Sequence, residues 1–165
     1  MATFILFAII ATSQRPPVLQ SVYFIPHVAV YMFAYLVIFG AFILRILTLR
    51  STQMTRMIPI CADNICDMLV KIGTVALGIG LCLGALWAKK AWGQYWSWDI
   101  KEIAALITWL IFLLYLHLAK IKKINKKILL IILIIGFLSL NFTWLGVKYL
   151  PVGQKSSHSF YSMAF

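Results

Sequence analysis

Three imidazoles and one tryptophan-rich run are the parts of this sequence with chemistry beyond packing. The imidazoles belong to His27, His117 and His158. The run AWGQYWSWD, residues 91–99, sets Trp92, Tyr95, Trp96 and Trp98 within seven positions, with Gly93 and Ser97 giving the backbone room. Imidazole nitrogens ligate transition metals, and clustered indoles offer flat apolar faces. Asp99 and Glu102 follow the run. As paired acids they would move protons. As first-turn acids they would cap the next helix at its positive dipole end, and capping is the expectation. No nucleophile–base dyad and no glycine-rich phosphate loop is visible, so no catalytic residue is assigned. Cys61, Cys66 and Cys82 form no CxxC pair and are read as incidental.

The elements that must position these groups follow from composition. Of 165 residues, 63% are hydrophobic and 12% charged, against about 45–50% and about 25% in ordinary soluble domains. That excludes a soluble globular enzyme and predicts an all-α, polytopic transmembrane bundle. The net charge of +11 points to lipid headgroups and anionic ligands, and not to nucleic acid. Four segments can span a bilayer as helices of about 20 residues: residues 28–47, 69–88, 103–119 and 128–147. The run 1–12 is short for a span and is read as a half or whole one. It lacks the basic start and A-x-A site of a cleaved signal peptide. Pro16 and Pro17 break the linker after it. The whole, 1–165, reads as one membrane domain with a Trp-rich loop at 87–102.

Counting Lys and Arg on either side of these spans gives nine on the side holding KIKKINKK and six on the other. The positive-inside rule puts the nine in the cytoplasm. Parity is independent of that choice. Two crossings separate residue 27 from residue 95, and two more separate 95 from 158. His27, the Trp-rich loop and His158 therefore share one face, the outer one in this orientation.

A single interfacial tryptophan is most simply a membrane anchor, and a single interfacial histidine an amphipathic side chain. Four aromatics beside two acids and between two same-face histidines suit a planar, apolar, anionic ligand better. The rings would cover its face, Arg15, Lys89 or Lys90 would meet its acid groups, and two imidazoles could grip a metal at its centre. Haem fits that description. A haem-bearing electron-transfer subunit, such as a quinone-linked cytochrome b, is a rival, although such proteins usually carry histidine pairs within their helices.

AWGQYWSWD followed by KEIAALITWLIFLLYLH resembles the WWD segment and following helix of the haem-handling proteins of cytochrome c biogenesis. The similarity is to the CcsA (ResC) branch of system II, the WWD-domain family. PVLQS at 17–21, FIPHV at 24–28 and YMFAY at 31–35 resemble that branch around its first outer histidine, and residues 142–158 resemble its second.

This resemblance implies that His27 and His158 are outer axial ligands of haem b, carried as a substrate. It implies that Trp92, Gly93, Tyr95, Trp96, Trp98 and Asp99 form the haem-binding loop. His117 matches a second haem position inside the membrane. It lies 18 residues after Asp99, or ~27 Å along a helix, so it sits at the opposite end. The implied function is haem delivery for covalent attachment to apocytochrome c at the outer face of a bacterial inner membrane. The chain would be one component of a cytochrome c synthase, with a ResB-type membrane partner supplying the missing histidine. A CcmC-like branch that passes haem to a chaperone is the near alternative.

Overall fold

The computed structural model describes residues 21–50, 57–121, 124–146 and 149. The run 1–12, Arg15 and His158 lie outside the described residues. Helix α1 covers Phe24–Arg50, α2 Met57–Trp92, α3 Ile100–Ala119 and α4 Lys126–Asn141, and a π-helical turn, Phe142–Gly146, continues α4. All four helices are long and apolar enough to cross a membrane. The chain is an all-α, multi-pass bundle, and its four helices contain nearly all of the four segments expected from hydropathy.

Pro26 falls in the first turn of α1, where its missing N–H has no intrahelical partner to lose. The α1 start is tied by the Phe24 N–H donating to Ser21 O at 3.0 Å. Helix α3 begins with a capping box. Asp99 accepts the Lys101 N–H, and the Glu102 side chain accepts the Asp99 N–H. Asn125 caps α4 by accepting the Lys127 N–H at 2.9 Å.

The stretch 48–68, expected to connect the first two spans, is largely helical. Helix α1 runs to Arg50, and α2 starts at Met57. Asp63 and Asp67 give that stretch its loop-like polarity, but both sit within α2 and pair with Arg45 of α1. At 36 residues, α2 is roughly 54 Å long. That exceeds a hydrocarbon core of about 30 Å, so the helix tilts or projects beyond it.

Lipid gives helices little hydrophobic reason to associate, so close packing and interhelical hydrogen bonds must hold them. Helix α1 packs most extensively on α2. Three glycines of α2 permit that approach, since a Cβ at Gly73, Gly80 or Gly84 would come within 2.5–2.7 Å of Ile38, Tyr31 or His27 of α1. Gly136 of α4 does the same for Phe112 of α3. The Trp109 indole N–H donates to Thr74 O of α2 at 3.1 Å, and Tyr35 of α1 donates to Asn141 Oδ1 of α4 at 3.0 Å.

The bundle has two chemically distinct ends. At one, the starts of α1 and α3 meet the ends of α2 and α4 through Phe24, Trp87, Lys101 and Trp144. At the other, Arg45 of α1 is 3% exposed and pairs with Asp63 and Asp67 of α2. There Arg45 also donates to the Tyr115 hydroxyl of α3 at 2.8 Å, and that hydroxyl donates to Asp67 at 2.6 Å. Lys126 of α4 pairs with Asp63, which offsets the unfavourable placement of a cation at a helix N-terminus. One network thus joins all four helices at the arginine end.

Candidate functional site

The tryptophan end holds a cavity of about 310 Å³, within the range of small-molecule sites. All four helices and the Trp-rich loop contribute to its wall. Its apolar lining includes Phe24, Leu77, Leu81 and Leu140, and its polar groups include His27, Lys101, Glu102, Thr108 and Thr143.

His27 lies in the first turns of α1, against the glycine face of α2. Its Nδ1 is 2.9 Å from Gly80 O. A carbonyl only accepts, so Nδ1 carries a proton, and in the neutral imidazole the lone pair is then on Nε2, the form a metal requires. The ring stacks on Trp87 at 6.0 Å and 17° and meets Tyr31 edge-on at 5.0 Å. Gly84 completes the seat: a Cβ there would lie 2.7 Å from Cε1 of the imidazole.

The Trp-rich loop leaves α2 at Gly93, whose φ of +84° suits glycine. Trp98, φ 57°, is a bulky residue in the left-handed region and is 71% exposed, a strained position of the kind found at functional loops. Glu102 folds the loop back over the start of α3. Its Oε2 accepts the Ser97 N–H at 2.8 Å, the Ser97 hydroxyl at 3.3 Å and the Asp99 N–H at 3.2 Å, and the side chain is buried.

Of the loop residues singled out from sequence, Tyr95 and Trp96 line the cavity. Trp92 reaches it at one remove, packed edge-on against Trp87 at 4.8 Å. Trp98 stands edge-on to Trp96 at 6.0 Å and faces outward. Gly93 and Asp99 shape the backbone. The Trp96 indole N–H is buried and has no hydrogen-bond partner among the described residues, an arrangement that a ligand acceptor would relieve. Lys89 donates to Gly93 O at 2.8 Å and lies over the Tyr95 ring, while Lys90 lies over the Tyr23 ring; neither lines the cavity.

His117 is elsewhere. It is exposed, near the arginine end of α3, beside Leu113, Leu114, Leu116 and Lys120. Tyr115, two residues earlier, is fully buried in the ion network, so His117 points away from the bundle interior. Among the described residues no three His, Cys, Asp or Glu side chains gather as a metal cage.

Sequence reasoning missed Trp87, Tyr31, the Gly80–Gly84 seat and Lys101. The glycines carried a readable signal, a pair four residues apart of the small-xxx-small kind that lets membrane helices touch. Trp87 sits one turn before Trp92 and was hidden inside an apolar span.

Comparison with known proteins adds a family. The model described as cytochrome C assembly protein matches residues 1–154. A protein named cytochrome c biogenesis protein CcsA from Chlamydomonas reinhardtii is 37% identical over 151 residues, 87% of this chain and 43% of that protein. The protein of that name from Porphyra purpurea is 44% identical over 108 residues, 66% of this chain and 33% of its own length. The one from Glycine max is 45% identical over 91 residues, 55% and 28% respectively. The chain thus spans between about a quarter and under half of the length of these curated relatives. No solved structure matches it.

Proposed function

The chain belongs to the cytochrome c assembly protein family, and on that premise we propose that it binds haem b as cargo in the cavity at its tryptophan end. There it presents the haem for attachment to apocytochrome c. The observation that carries this reading is the His27 seat: an imidazole held at Nδ1 by Gly80 O, in the wall of a mainly apolar cavity. Its neutral form carries the lone pair on Nε2, the nitrogen that would meet iron. Trp87 and Trp96 give the cavity aromatic walls. His158, which follows α4 and shares the face of His27 by parity, supplies the second axial nitrogen.

The protein's own residues bind and orient. Glu102 holds the loop closed, the indoles exclude water, and the imidazoles set the ligation of iron. Attachment itself is an addition: a cysteine S–H of the apocytochrome crosses a haem vinyl group, sulfur bonding to one carbon and hydrogen to the other, with no leaving group. The chemistry comes from the haem and the thiols, and the fold provides proximity. His117 serves a second haem position near the other end, completed by a histidine of a ResB-type partner. The tryptophan end faces away from the compartment holding the basic loop 120–127. In a bacterium that is the outer face of the inner membrane.

Haem titration of the purified chain tests the reading. Wild type should bind with a two-imidazole spectrum. His27→Ala should lose that spectrum and regain occupancy when imidazole is added, because the missing ligand is a simple ring nitrogen. No haem binding by wild type, or an unchanged spectrum in His27→Ala, refutes the proposal.

A further inference from the structure

We propose that Lys101 is the cation that receives an acid group of the ligand in this cavity, an inference that rests on the haem reading above. Of the basic residues described at the tryptophan end, Lys101 alone lines the cavity. Lys89 and Lys90 are exposed and turned to Gly93 O, the Tyr95 ring and the Tyr23 ring.

Lys101 sits between the two capping acids of α3, yet neither forms an ion pair with its ammonium. Glu102 spends one oxygen on Ser97 and Asp99, and Asp99 Oδ1 takes the backbone N–H of Lys101 at 2.8 Å. The ion pairs among the described residues are Arg45 with Asp63, Arg45 with Asp67, and Lys126 with Asp63, all at the far end. Asp99 acts on this ammonium through its charge without a direct ion pair. A half-buried ammonium at the start of a spanning helix gains further from a directly hydrogen-bonded anion. The dipole at the N-terminus of α3 adds to the pull on an incoming carboxylate. A planar macrocycle carrying two acid groups, with its iron held at His27, would supply that anion from within the cavity.

The test compares haem b with its dimethyl ester, which keeps the ring and the iron and loses both negative charges. The purified full chain is titrated with each, as wild type, Lys101→Met, Lys101→Arg and Lys89→Met. Wild type should prefer the free acid by about tenfold, the size expected of one charge-assisted hydrogen bond. Lys101→Met should bind acid and ester equally, with ester affinity unchanged, which also shows that the variant is folded. Lys101→Arg and Lys89→Met should keep the preference. If Lys101→Met retains the wild-type preference, or if wild type shows none, the Lys101 assignment is overturned while haem binding stands. If wild type binds neither compound, the haem reading falls and takes this one with it.

Discussion

The Nδ1 of His27 and the carbonyl oxygen of Gly80 lie 2.9 Å apart across the α1–α2 interface, joining residues 53 positions apart in sequence. Intrahelical bonding leaves a carbonyl one further lone pair, and here it accepts a hydrogen bond from the imidazole N–H. The contact exists because Gly84 has no side chain to hold the ring away and Gly80 has none to push out the neighbouring Tyr31. A packing motif that in many membrane proteins serves only association therefore also sets the tautomer of a candidate ligand.

Replacing Gly84 by Ala should disturb that ring directly. The new methyl group would lie 2.7 Å from Cε1 and 3.0 Å from Nδ1 of His27, an overlap of the kind that costs about 1–3 kcal/mol in a packed core. Haem affinity should fall about tenfold, with a shift away from the two-imidazole spectrum and unchanged helix content by circular dichroism. A wild-type spectrum and affinity in this variant would show that the seat is not used.

Glu102→Ala should loosen the loop without unfolding the bundle. It leaves the Ser97 and Asp99 N–H groups without their carboxylate, and each lost bond of this type costs about 1–3 kcal/mol. Amide exchange at residues 97 and 99 should speed up at least tenfold, while exchange in the middle of α2 stays slow. Glu102→Gln, which keeps one acceptor oxygen, should fall between the two. Equal exchange in all three proteins would remove Glu102 as the loop's anchor.

Arg45→Met should be the most damaging of these changes to stability and the least damaging to haem. It takes the countercharge from Asp67, which keeps only the Tyr115 hydroxyl as a partner among the described residues at the arginine end. Removing one partner of a buried pair costs about 3–5 kcal/mol, less where, as at Asp67, the carboxylate is partly exposed. Pairing it with Asp67→Asn should recover part of the loss. Thermal unfolding in detergent reads the stability, and the absorption spectrum of bound haem reads the site. Additive losses in the double variant would show that the two residues do not interact.

His117→Ala should lower haem occupancy in cells yet leave the spectrum of haem added to purified protein unchanged, because His117 is exposed at the opposite end from His27. An altered spectrum with normal occupancy in cells would collapse two positions into one.

How much of this was legible follows from the range of each signal. The spans were readable because lipid demands an unbroken apolar stretch, and the Asp99–Glu102 cap because its residues are three apart. The Arg45 network was not, since its partners are separated by 18, 22 and 70 positions. Its aspartates also made part of α2 resemble a connection. At the site, Tyr95 and Trp96 could be found from composition. Trp87 and Lys101 could not, because which face of a helix turns to a cavity depends on neighbours that hydropathy does not name.

The glycine contacts between α1 and α2 also act as a ruler. Along α1 the steps from His27 to Tyr31 to Ile38 are four and seven residues, and the matching steps along α2 from Gly84 to Gly80 to Gly73 are four and seven in reverse. One residue inserted between Tyr31 and Ile38 would rotate everything before it by about 100° and carry the imidazole off its seat. A lengthening of α1 can keep His27 in place only if α2 lengthens by the same step between Gly73 and Gly80. Insertions and deletions in this interval should therefore occur in matched pairs, so that the two helices change length together or not at all.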